Sequence, residues 1–216
     1  MFWIMVLVLW ATGFAAHAEI VDRIVAVVDG RVIAWSAAMA EANYQAFRNG
    51  EEPVRALEGE ALGKIISQMI DQSLLEKEMD RSLFSTPLSN VPEERAAETA
   101  KRFPDHEAYL NALARYGLSE GELIQRLRLE NVILLFVEDR LRPQAHVEPA
   151  DIEIYYRETL LPQISKEGQG STPAFSEVSA GIEQVLVQKE INRLLDEFLA
   201  QLKGRAKIKL FLEPGR

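Results

Sequence analysis

The sequence predicts a mainly α-helical fold closed by a small β-sheet, and three observations carry that expectation. Apolar residues recur at helical spacing over most of the chain beyond residue 35, an Asp-Gly pair separates two β-branched runs near the start, and an alternating strand pattern stands unpartnered at the end. Of the 216 residues, 48% are hydrophobic and 26% charged, enough apolar side chain for a core and too little bias for disorder. One domain, or at most two, fits this length. The balance of 24 Lys and Arg against 33 Asp and Glu gives a formal charge of −9. That excess argues against a general nucleic-acid binder, whose phosphate contacts need clustered cations. With no cysteine in the chain, disulfides, thiolate catalysis and Cys-ligated metals are excluded.

The chain opens on a near-continuous apolar run, Trp3 to Trp10, and reaches Ala16-His17-Ala18, the small-x-small pattern of a secretory cleavage site. Cleavage is expected between Ala18 and Glu19, with the periplasm as destination, although the segment before the apolar run has no Lys or Arg. The alternative is an uncleaved anchor. A membrane span needs ~20 apolar residues and a basic flank; this run is shorter and carries Gly13 and His17. Residues 19–216 are then expected to form one unit: an N-terminal segment of about 19–162, a flexible loop of about 163–173, and a returning helix and strand of about 174–212.

Ile24 to Val28 and Arg31 to Trp35 flank Asp29-Gly30, a hairpin signal because both central residues of a type I′ turn need positive φ. Ser36 stands where an N-cap belongs, so a helix should follow and end near Asn49-Gly50. Between Ala56 and Arg81, residues Leu62, Ile65, Ile66, Met69, Ile70 and Leu74 fall at offsets 0, 3, 4, 7, 8 and 12, one face of a second helix. Pro92-Glu93-Glu94 opens a shorter polar helix. Another is expected from Pro104 or Asp105 to Tyr116, stopped by Gly117. The capping-box spacing of Ser119 and Glu122 introduces a long helix, Glu120 to Leu141, ended by Arg142-Pro143. Its apolar stretch Val132 to Val137 is expected to be the most buried helical segment. A short helix from Pro149 through Tyr156 is expected to close at Pro162, and a long one to run from Phe175 to Leu202. Ala206 to Leu212 alternates Lys with apolar residues, as an edge strand does, and the N-terminal hairpin is the candidate partner.

Catalytic motifs are absent: no H-E-x-x-H, no P-loop, no G-x-G-x-x-G and no G-x-S-x-G occurs. His106 at a helix start reads as an exposed turn histidine, and His146 lies in a polar linker. The acids at helix starts serve the helix dipole, and Gly168 to Thr172 reads as a linker. No cofactor and no metal are expected. Tyr109, Tyr116, Tyr155 and Tyr156 lie on otherwise polar helices and are expected to be half buried. They read either as rim packing or, with Leu113, as an apolar cradle for extended polypeptide.

Together, Val21 to Ile33 after the signal segment, Val147 to Tyr156, and the stretch from Phe175 through Ala206-Lys207-Ile208 resemble the SurA-type periplasmic chaperones. The resemblance implies a chaperone core in which the closing strand packs back on the N-terminal segment. It implies binding of unfolded outer-membrane β-barrel precursors without nucleotide or metal. Relatives carry parvulin prolyl-isomerase domains after the double-tyrosine helix; here Arg157 to Ala174 is 18 residues, against the ~50 that a packed domain needs. The expectation is therefore a holdase without an isomerase domain. An adaptor with one dedicated partner is the alternative, and a prolyl isomerase the less favoured one.

Overall fold

The computed structural model describes residues 22–85, 89–167 and 173–211. The expected signal segment with its cleavage point at Ala18 and Glu19, and the Gly168 to Thr172 part of the expected loop, lie outside the described residues. Strands β1 (Ile24–Val28) and β2 (Arg31–Ala34) form the expected hairpin. Asp29 and Gly30 take φ of 50° and 90°, the left-handed values that a type I′ turn requires. Strand β3 (Ile208–Leu210) adds antiparallel to the other edge of β1, giving the order β2-β1-β3. Ala26 thus faces Ile33 on one side and Leu210 on the other, and the two ends of the domain share one sheet.

One carboxylate fastens that closure. Asp29 Oδ1 accepts the Lys207 amide at 2.8 Å, Oδ2 accepts Lys77 Nζ at 2.7 Å, and the Asp29 amide donates to the Lys207 carbonyl at 2.9 Å. The Lys77 ammonium, followed by the Lys207 amide, holds the Asp29 carboxyl below its ordinary value. A depressed carboxyl stabilises the fold above its unfolded pKa of ~3.9 and loses that contribution as pH falls through the folded value. Asp29→Asn, which still tolerates the left-handed turn, is expected to melt below the parent at pH 7 and to converge with it under acid. A gap that stays constant down to strongly acid pH would show that the ionised group contributes nothing.

The helices are α1 (Trp35–Asn49), α2 (Gly59–Ser82), α3 (Val91–Ala100), α4 (His106–Arg115), α5 (Glu120–Leu141), α6 (Pro149–Tyr155), α7 (Leu161–Glu167) and α8 (Phe175–Arg205). Local signals explain most boundaries. Gly50 ends α1 in the left-handed conformation, Asp105 accepts the Ala108 amide at the start of α4, and Ser119 with Glu122 forms the expected capping box of α5.

Four expectations are corrected. Ser36 is not the N-cap of α1: the helix begins at Trp35, and Asp22 takes the Ser36 amide at 3.2 Å and the Ser36 hydroxyl. The capping oxygen comes from 14 residues upstream, and the Ser36 hydroxyl in turn lowers the pKa of Asp22. Pro162 does not close a helix, because a π-helical turn over Tyr156–Leu160, with the Leu161 amide on the Tyr156 carbonyl, leads straight into α7. The widened turn accommodates a ring that lacks an N–H and would clash in an α-helical turn. The expected loop of 163–173 is consequently helical as far as Glu167. Lastly, Val132 to Val137 is not buried on every side: Phe136 is 2% exposed and Leu134 56%.

The main core lies between the sheet, α2, the second half of α5 and α8, with Val25, Val28, Ile66, Phe136 and Ile191 at its centre. A second cluster joins α1, α3, α4 and the first half of α5 through Tyr44, Ala96, Tyr109, Leu113, Leu123 and Leu127. Glu130 on α5 ties α1 and α3 to that helix, accepting the Tyr44 hydroxyl at 2.7 Å, Arg48 at 2.6 Å and Arg95 at 3.5 Å. Burial, then the Glu130 carboxylate, pushes the Tyr44 hydroxyl well above its ordinary pKa.

Candidate functional site

The five residues expected to form one client-binding face fall into two separate places and three different roles. Tyr109 and Leu113 are 0% and 1% exposed, so they are core rather than surface. The α4 face that carries them packs into the second cluster with residues of α1, α3 and α5, and Phe103 packs on the Tyr109 ring with centroids 5.7 Å apart. The short polar helix that suggested exposure in the sequence is covered by elements remote in the chain. Among the described residues the Tyr109 hydroxyl has no hydrogen-bond partner, and burial, followed by the charge of Glu120, raises its pKa. Removing a buried, unpaired hydroxyl should cost nothing. Tyr109→Phe is therefore expected to equal the parent or exceed it by about 1 kcal/mol in unfolding free energy. A variant clearly less stable than the parent would mean that the hydroxyl is paired.

Tyr116 is half buried. Its hydroxyl donates to the Glu51 carbonyl at 2.6 Å, its ring meets the Phe47 ring edge-on at 5.4 Å, and it borders a shallow hollow of about 380 Å³ with Pro53 and Arg115. Tyr156 is committed to the scaffold, with its hydroxyl on the Pro173 carbonyl at 2.7 Å and its ring edge-on to Phe175 at 5.4 Å. Tyr155 borders a groove of about 430 Å³ between α6 and α8, beside Val147, Ile154 and Leu186. Lys189 Nζ lies 4.6 Å from the centre of its ring, a cation–π contact. In the same groove Arg193 holds the Glu190 carboxyl below its ordinary value. His146 lines this groove too, and His106 begins α4 with its ring 5.8 Å from that of Tyr109.

A third concavity, larger than these two, was not legible in the sequence. It is a trough of about 500 Å³ between β2, α1, α2 and α5, with Val32, Ile33, Met69, Leu129 and Ile133 as its apolar lining. Glu41, Glu76, Glu122 and Glu130 stand around it with Arg31 and Arg126. Arg31 pairs with Glu76 at 2.7 Å, Arg126 pairs with Glu41, and the Arg126 guanidinium lies 5.0 Å from the Tyr44 ring centre. The one available sequence signal was that β2 carries apolar residues on both faces, Val32 as well as Ile33, where a half-exposed strand would alternate with polar ones.

Among the described residues no three His, Asp or Glu side chains gather as a metal site requires, and no helix is long and apolar enough to cross a membrane. The concavities are open and mix apolar with charged side chains. The fold and these surfaces define an α-rich scaffold closed end to end by a small sheet and open along its helices. A scan against protein-family models finds no match, and a search of curated proteins finds none either.

Proposed function

We propose that this chain is an ATP-independent periplasmic holdase of the SurA kind, without a parvulin domain, that binds unfolded outer-membrane β-barrel precursors. The observation that carries the reading is the pairing of β3 with β1, the end-to-end closure that the resemblance to a SurA-type core implies. Open grooves with apolar floors and charged rims support it, because weak contacts at several places let a folding client leave without nucleotide. A charge of −9 keeps such a protein soluble beside apolar clients. Of the residues first assigned to the client face, Tyr116 and Tyr155 keep that role. Tyr109, Leu113 and Tyr156 serve the scaffold.

The test is titration of the chain from Glu19 to Arg216 against an unfolded outer-membrane barrel protein, following both binding and aggregation. Saturable binding in the micromolar range with suppression of aggregation is the expected result. A folded chain that neither binds nor suppresses would overturn the reading and turn the search to a single dedicated partner.

A further inference from the structure

Helix α8 divides at Val187. From there to Leu202 it is fixed in the main core through Ile191, Leu194, Phe198 and Leu202. Between Phe175 and Leu186 the one buried side chain is Ile182, 4% exposed, and it belongs to neither core cluster. Phe175, Val178, Ile182 and Leu186 fall at offsets 0, 3, 7 and 11, one helical face. The elements packed on this half of the helix are themselves thinly held. Helices α6 and α7 are 7 residues each, and the π turn between them interrupts the α-helical ladder just before Pro162, which has no N–H to give. Among the described residues none of α6, the π turn or α7 is buried; Ile152, Tyr156 and Leu160, four residues apart, are half-buried. The Tyr156 hydroxyl on the Pro173 carbonyl, the Tyr156 ring against Phe175 and Lys189 over Tyr155 join them to the start and middle of α8. Arg157 pairs with Glu153, and Arg193 with Glu190 and Glu197, each on its own side, so among the described residues no ion pair crosses the contact.

We propose that α6, the π turn, α7 and residues 175–186 of α8 form one cooperative arm that unfolds locally and refolds while the main core stays intact. Segments that bury little apolar surface open at a free energy below that of the whole domain. Here one buried isoleucine holds the arm, whereas the rest of α8 shares the core of the sheet, α2 and α5. Both sides open together because neither persists alone: a separated helix shorter than about 12–15 residues is marginal in water. The open state uncovers Tyr156, Phe175 and Ile182, and the closed state withdraws them, so the arm switches an apolar stripe between two levels of exposure. The inference holds whether or not the chain binds unfolded polypeptide, since it concerns the cover over the chain's own side chains.

Native-state hydrogen exchange of the chain from Glu19 to Arg216, followed by NMR at low urea concentrations, tests it. Amides of residues 153–161 and 180–186 are expected to exchange as one class, at least about a hundredfold faster than those of α2 and of residues 191–202, so that a step falls inside the continuous helix α8. Two conservative variants separate the classes. Ile191→Val is expected to speed exchange in α2 about fivefold and leave the arm amides unchanged, because the core stays folded when the arm opens. Ile182→Val is expected to speed the arm amides about fivefold. Equal acceleration of arm and core amides by Ile191→Val would overturn the proposal, because arm and core would then be a single unit. Protection that climbs gradually along α8, with α6 amides indifferent to Ile182→Val, would overturn it in favour of a helix end fraying by itself. The parent chain carries no substitution, so a single exchange class throughout it overturns the proposal whatever the variants do.

Discussion

A chain ending at Arg205 is expected to unfold at a much lower urea concentration than the full chain, losing about 3–5 kcal/mol of stability. Three groups of interactions disappear together. The Phe211 to Val25 bond and the pair of bonds between Asp29 and Lys207 are lost with the β1–β3 ladder. Ile208 leaves the main core, which uncovers part of the surface around Ala26 and Val28, 0% and 2% exposed in the full chain. What remains of the sheet is a two-stranded hairpin, marginal by itself and held only by the helices packed against it. Against a total stability of roughly 5–15 kcal/mol, such a loss brings the domain near its threshold. Urea denaturation of the two chains measures it directly. An unchanged midpoint would remove the case that terminal pairing holds the domain together.

Phe136→Ala is expected to cost about 3–5 kcal/mol, the usual range for emptying a buried aromatic position. Its side chain is 2% exposed, lies in the main core with Ile66 and Ile191, and meets the Phe84 ring edge-on with centroids 5.3 Å apart. Leu134→Ala, two positions earlier in the same helix and 56% exposed, should stay within about 0.5 kcal/mol of the parent. Equal losses at the two positions would mean that α5 is rotated from the arrangement described above.

That contrast marks where the sequence stopped being informative. Val132 to Val137 is an unbroken apolar run, so periodicity cannot rank its members by burial, and the order comes from α2 and α8 closing on Phe136 and Val137 while Leu134 faces outward. Tyr109 and Leu113 failed in the opposite direction. A short helix rich in polar residues still buried Tyr109 and Leu113 completely, because residues of α1, α3 and α5 closed over them. The trough depends on four elements that are remote in sequence, and no spacing within any one of them announces it.

The features that the sequence determined by itself are those whose physics acts within a few residues. The positive φ of Asp29-Gly30, the left-handed Gly50 and the reciprocal cap of Ser119 and Glu122 each satisfy a local backbone requirement, so residue type and spacing suffice to place them. The sheet closure was also legible, since a terminal strand must find a backbone partner and the chain offered one hairpin. Tertiary structure alone decided that Asp22 caps α1, that Tyr109 is core, that α6 runs through a π turn into α7, and that β2 borders a trough. Each of these depends on which distant surface arrives to exclude water or supply a hydrogen bond, and that arrival is a property of the packed whole rather than of any segment.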